Sequence, residues 1–271
     1  MKKQLKNVLY LGALLASASS FAATTWTLNT GTVQGDNSAV TTTSTGWADT
    51  GTGTPRLIEQ QTAPNNLRLY TGGLGINNLD GCTSGSGCDV GDVANTAPEH
   101  AIDNNQRYEM VMLSFGSGQK VNLTNVKFGW TGTSNYTGGD SDYTVLAYTG
   151  ATPFSGSLAG ATWGSLLSSG WQLIGNYNDA LTNENRSLNS AGGSSAGIYS
   201  SFWLIGAFNP LNNSAQTGGY DYLKLSAVTG NVCTPGTPGC GGGGKAPEPG
   251  SLALLGLGLL GLIRMRKPHQ A

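Results

Sequence analysis

Between residues 24 and 230 apolar and polar residues alternate with a period of two, broken at short intervals by Gly, Asn, Ser and Thr. That period marks half-buried β-strands with turns between them. Thr24 to Asn29 sets Trp26 and Leu28 on one face, and the Thr-rich stretch Val40 to Trp47 follows. Asn66 to Thr71 sets Leu67 and Leu69 against Arg68 and Tyr70. Arg107 to Phe115 carries Met110, Val111, Met112 and Leu113 in succession, a run that predicts a heavily buried strand. Val121 to Trp130 aligns Val121 with Leu123 and then, after a shift, Val126 with Phe128 and Trp130. Asp142 to Thr149 sets Tyr143, Val145 and Ala147 opposite Thr144, Leu146 and Tyr148. Trp171 to Tyr177, Phe202 to Phe208 and Tyr222 to Val228 bring the count to about nine strands. One short helix is predicted, Ala161 to Ser168, with Trp163, Leu166 and Leu167 on one side. Short strands with turn-rich links and no long helix for a crossover predict an all-β fold, a jelly-roll-like two-sheet β-sandwich.

Both ends break this pattern. Lys2, Lys3 and Lys6 precede an apolar run from Val8 to Ala16, and Ser20-Phe21-Ala22 offers small residues for cleavage. Residues 1–22 are therefore read as a signal peptide, cut by signal peptidase between Ala22 and Ala23. Residues 23–230 form the expected sandwich domain, and residues 231–246 a Gly/Pro-rich linker. Ser251 to Ile263 is apolar on all faces and is followed by Arg264, Arg266 and Lys267. As a helix it reaches about 20 Å, short of the roughly 30 Å hydrocarbon core. It reads as a short transmembrane segment, stopped by basic residues on the cytoplasmic side.

Composition narrows the function. Gly contributes 42 of 271 residues and charged residues only 11%, far below the roughly 25% of an average domain. Residues 24–244 hold seven basic and fourteen acidic side chains, a net charge of −7. Nucleic acid is excluded as a partner, because a phosphate-binding surface needs the opposite sign. An exported chain matures in an oxidising compartment, so the four cysteines read as two local disulfides, Cys82–Cys88 and Cys233–Cys240. Loops this short contribute about 2 kcal/mol each.

The order Pro247-Glu248-Pro249, short Leu/Gly/Ala helix, then Arg264 and Arg266 resembles the PEP-CTERM sorting signal of Gram-negative bacteria. The resemblance covers about residues 246–267. It implies recognition by exosortase, a membrane cysteine protease, with cleavage near the Pro-Glu-Pro after transient anchoring in the inner membrane. It further implies a cell-surface or extracellular-matrix location, in association with exopolysaccharide or biofilm. Gly73-Leu-Gly-Ile-Asn-Asn78, His100-Ala-Ile-Asp-Asn104, Leu113-Ser-Phe115, Asp140 to Tyr148 and Trp203 to Phe208 resemble exosortase-dependent surface protein families. That likeness implies location rather than chemistry.

Catalytic candidates are sparse. His100 is the only imidazole before residue 269, so a Ser-His-Asp site would have to use it. With Asp103 it reads as part of a structural loop. Glu99, Asp103 and Glu109 offer carboxylates, but no spacing selects a pair for glycoside hydrolysis. The chain is accordingly read as not an enzyme. Asp140 and Asp142 stand in a Gly-rich turn, where Asp bonds nearby backbone N–H groups. They read as turn formers, with calcium as the one cofactor this pattern admits. Trp26, Trp47, Trp130, Trp163, Trp171 and Trp203 are expected mostly in the core, and Tyr136, Tyr143 and Tyr148 nearer solvent. A carbohydrate-binding module is the alternative function, and a secreted hydrolase the weaker one.

Overall fold

The computed structural model describes residues 22–62, 66–78, 100–116, 118–132, 139–211, 219–234, 237 and 240. Among them lie β1 (Thr24–Thr27), β2 (Thr32–Gln34), β3 (Thr41–Ala48), β4 (Glu59–Gln61), β5 (Leu67–Tyr70) and β6 (Gly73–Ile76). Next come β7 (Ile102–Asp103), β8 (Glu109–Phe115), β9 (Val121–Thr131), β10 (Gly139–Asp140), β11 (Tyr143–Tyr148) and β12 (Trp171–Tyr177). β13 (Asn185–Ser187), β14 (Asn189–Ser190), β15 (Gly193–Ser194), β16 (Phe202–Ala207) and β17 (Tyr220–Val232) complete the set.

The strands form two sheets, and the protein is all-β. The first sheet has the order β13-β9-β17-β6-β5, with β1, β7 and β10 also pairing with β17. The second has the order β14-β15-β12-β11-β16-β8-β3-β2, with β4 added on β3. Pairing is antiparallel apart from the two-residue contact of β10 with β17. β17 organises the first sheet. Its register against β9 slips between Lys224 and Leu225, between Leu225 and Ala227, and between Thr229 and Gly230. Such bulges bend and twist a long strand, letting it serve several partners.

Two apolar layers hold the structure. Trp26, Phe115, Phe128, Tyr143, Trp203 and their neighbours fill the space between the sheets. Trp47, Met110, Met112, Leu146, Trp163, Trp171 and Leu204 form a second layer on the far side of the second sheet. The central strands of that sheet are therefore buried on both faces. Val111 and Leu113 enter the first layer while Met110 and Met112 enter the second, which explains the unbroken apolar run. Tyr143 is a correction: it is 1% exposed, because its strand has no solvent face. Tyr148, at the far end of β11, is half-buried, and Tyr136 lies outside the described residues. Five of the six tryptophans are buried, and Trp130 is half-buried.

The predicted helix is instead a pair of 3₁₀ turns, Trp163–Ser165 and Leu167–Ser169. Thr162 and Ser165 close a capping box at the first turn, and Gly170 ends the second at φ +96°. Trp163 and Leu166 face the core, but Leu167 is exposed. β6 escapes prediction because it is half glycine. Gly73 has φ +129°, and a Cβ there would stand 2.5 Å from the Leu225 carbonyl oxygen, so only Gly lets this strand lie against β17.

β17 runs on to Val232, so the sandwich reaches two residues into the stretch read as linker. The Cys233 N–H donates to the Lys120 carbonyl at 2.8 Å. The Cys233–Cys240 disulfide follows, with Cα atoms 5.5 Å apart. Cys82 and Cys88, the signal segment through residue 21, and residues 241–271 lie outside the described residues.

Candidate functional site

The register separates two ends of the sandwich. β17 carries Asp221 near its start at one end and finishes at the other with Val232, on the order of 35 Å away at strand rise. Tyr143, Tyr177 and Ala207 lie level with one another toward the first end. Tyr148 and Trp171 pair at the second, where Phe202 opens β16 and Val121 pairs with Val232.

The first end is acidic. The carboxylates of Asp140, Asp142 and Asp221 converge, each offering an oxygen within 4.8 Å of the others. β10 and the start of β11 bring the first two, and the parallel pairing of β10 with β17 brings the third. Backbone N–H groups answer these charges. Ser141 donates to Asp140 Oδ1 at 2.8 Å, Asp179 to Asp142 Oδ1 at 2.9 Å, and Asp142 to Asp221 Oδ1 at 2.7 Å. The Asn104 amide donates to Asp221 Oδ2 at 2.6 Å and to the Phe208 carbonyl at 3.1 Å. The Asp221 N–H returns a bond to Asn104 Oδ1 at 2.8 Å. Burial pushes the Asp221 carboxyl up to about 8. The Asp142 N–H and Asn104 amide oppose the rise, while the Asp142 and Asp140 carboxylates add to it.

Asp140 and Asp142 thus act as turn formers and strand ties. Oxygen donors alone suit a hard cation such as calcium, but calcium takes six to eight of them, and N–H groups already occupy several of these oxygens. Asp221 and Asn104 escaped the sequence reading. They lie 117 residues apart, and nothing local to either one points to the other.

Glu109, Asp103 and Asp49 also accept hydrogen bonds that tie elements together. Glu109 is fully buried, taking the Asn78 amide at 2.5 Å and the Asp103 N–H at 3.2 Å. Asp103 in turn takes the Asn105 N–H at 2.9 Å. Asp49 takes the Tyr108 N–H at 2.7 Å. Burial pushes its carboxyl up to about 6, against that hydrogen bond and the nearby Arg107 and Arg56. Glu99 lies outside the described residues.

His100 is held by its ring. It stacks on Tyr70 with centroids 4.3 Å apart and planes 19° apart. Lys224 sits beside the same Tyr70 ring and 4.8 Å from the Trp130 centroid. Burial, and then the Lys224 ammonium, depress the basicity of His100. Its Nδ1 atom makes no hydrogen bond among the described residues.

The second end is open. A cleft of about 690 Å³ lies between the segment after β11, the start of β12 and the approach to β16. Tyr148, Phe154, Tyr199 and Phe202 supply half-buried rings, and Gln172 and Lys120 supply polar tips. The rings meet at angles: Phe154 to Phe202 at 5.0 Å and 80°, Tyr148 to Phe154 at 5.1 Å and 34°. The Tyr148 hydroxyl donates to the Thr152 carbonyl and pins the intervening loop. Gly150 and Gly170 pass close over this ring, where a Cβ on Gly170 would stand 2.9 Å from Tyr148.

Both termini of the domain emerge at this open end. Thr24 pairs with Gly230, and the Cys233 N–H bonds to Lys120, which also lines the cleft. Ala22 and Ala23, the expected cleavage pair, are exposed, and the Ala23 carbonyl accepts the Asn37 amide at 3.1 Å.

No curated protein and no solved structure matches the chain. The family model of the PEP-CTERM protein-sorting motif matches residues 245–267. That stretch contains the expected Pro247, Glu248, Pro249, Arg264 and Arg266. The chain therefore carries a PEP-CTERM sorting signal, which implies exosortase-dependent export to the surface of a bacterium.

Proposed function

We propose that this chain is a non-enzymatic cell-surface or matrix protein of a Gram-negative bacterium, associated with exopolysaccharide. Signal peptidase releases the chain at Ala23. The segment after Pro249 anchors it in the inner membrane until exosortase removes that anchor. The sorting motif at residues 245–267 carries this reading. The position of the termini supports it. The chain enters and leaves the sandwich at one end, so a membrane-held C-terminus leaves the acidic end projecting outward. Strands alternating between two sheets fit a jelly-roll-like sandwich, a scaffold that displays loops at its ends. The non-enzymatic reading is supported by the way Asp103, Glu109, Asp142 and Asp221 are used, each accepting an N–H bond that ties elements together.

Fractionation of the native host tests the proposal. With exosortase present, the protein is expected in the surface and medium fractions. Without it, the protein is expected to accumulate in the inner membrane. The same distribution in both strains would refute exosortase processing.

A further inference from the structure

The cleft at the open end is the feature that the strand-tying network does not use. Its volume falls within the roughly 300–1,000 Å³ range of small-molecule sites. It combines ring faces with a few polar tips, the usual make-up of such a site. Sugar rings match it on two counts. Their C–H faces pack on aromatic rings, and their hydroxyls exchange hydrogen bonds with an amide such as Gln172. The rings stand at 34° and 80° to one another instead of forming a flat platform.

Charge selects among sugars. The domain is strongly acidic, yet among the described residues lining the cleft there is no carboxylate, and Lys120 is the one cation. We infer that this cleft binds an acidic sugar residue of a polysaccharide, a uronate, with Phe154, Tyr199 and Phe202 around the ring and Lys120 at the carboxylate. The inference rests on the exopolysaccharide reading above and gives it a site. The cleft lies beside the exit of the C-terminal segment, so the glycan is held on the membrane-facing side of the domain.

Calorimetric titration of the exported mature protein with oligogalacturonate, and with a neutral galacto-oligosaccharide of equal length, tests this. The acidic probe is expected to bind more tightly, with affinity falling as salt rises. Tyr199→Ala is expected to weaken it about tenfold, as loss of one ring anchor does. Lys120→Gln is expected to weaken it roughly threefold and to erase both the salt dependence and the preference over the neutral probe. Melting curves of both variants matching the parent show that the fold is intact, and Gln172→Ala, at an exposed position, serves as a second polar probe. Two results overturn the inference: no binding of either probe, or binding that survives Tyr199→Ala and Lys120→Gln unchanged. Normal exosortase-dependent localisation beside either result would remove the cleft and leave the surface-protein reading standing.

Discussion

The two ends of the sandwich use the same polar and aromatic residue types to opposite effect. At the acidic end Asp140, Asp142 and Asp221 are drawn together, and backbone N–H groups and the Asn104 amide bond their oxygens. At the open end Tyr148, Phe154, Tyr199 and Phe202 stay half-exposed around a cleft. A buried carboxylate with N–H donors is a fastener, because leaving it unmet costs more than the bond returns. A half-exposed ring with room beside it is a surface that something else can cover. Among the described residues the candidate acids therefore tie elements of the fold together, and the cleft lies where carboxylates are absent.

The largest test of the contrast is pH. The folded Asp221 carboxyl titrates at about 8 against an ordinary 3.8, and Asp49 at about 6. A raised carboxyl binds its proton more tightly in the folded state, so its contribution to stability is full below about pH 4. That contribution is lost as pH rises, through about 6 for Asp49 and about 8 for Asp221, at up to about 1.4 kcal/mol per pH unit for one proton. Melting temperature is expected to fall from pH 4 to pH 8, and Asp221→Asn to flatten the upper part of that slope. A profile level from pH 4 to 8 would break the account of this end.

Single substitutions sharpen the contrast. Asn104→Ala strips donors from Asp221 and from the Phe208 carbonyl, at a cost of about 3 kcal/mol. At roughly 2–4 °C per kcal/mol for a domain of this size, the melt should fall by close to ten degrees. Gln172→Ala, at the open end, is expected to leave it within about a degree. Equal effects at the two positions would erase the distinction. Replacing Cys233 and Cys240 by Ser removes a cross-link beyond the last strand. Although loop closure allows up to about 2 kcal/mol, the expected result is faster amide exchange at Val232 and Cys233 with little change in melting. A large drop in melting would make the disulfide part of the global fold. Calcium is expected to have the smallest effect. Since N–H groups already meet the clustered carboxylates, melting in calcium and in chelator should coincide. A rise of several degrees that Asp142→Asn removes would make the cluster a cation site.

Strands with strong alternation were legible from sequence, and their order of burial followed. Trp171–Tyr177 has the predicted limits, and the alternation of Tyr143, Val145 and Ala147 against Leu146 is real. The burial of Tyr143 was not legible, because its cover comes from Phe128 on the other sheet and Tyr177 on the neighbouring strand, both distant in sequence. Nor were β7, β10 and β13 to β15, two or three residues each and mostly polar, which carry too few apolar positions to show a period. The acidic cluster was half visible as Asp140 and Asp142. Asp221, 79 residues beyond Asp142, joins it through β10 pairing, which no local pattern announces. The cleft was not visible at all, since Phe154, Tyr199 and Lys120 belong to separate connecting segments. The sorting motif was fully legible because its three parts are contiguous.

The central claim is that the sandwich is freed from both of its terminal signals on the way to the surface. Intact-mass measurement of the protein recovered from the native host tests it directly, with an exosortase-deficient strain as the comparison. The account predicts a mature form that begins at Ala23 and lacks the segment after about Pro249, and a longer form retaining that segment when exosortase is missing. Recovery of Leu252 to Arg266 in the mature surface form of the exosortase-positive strain would contradict it.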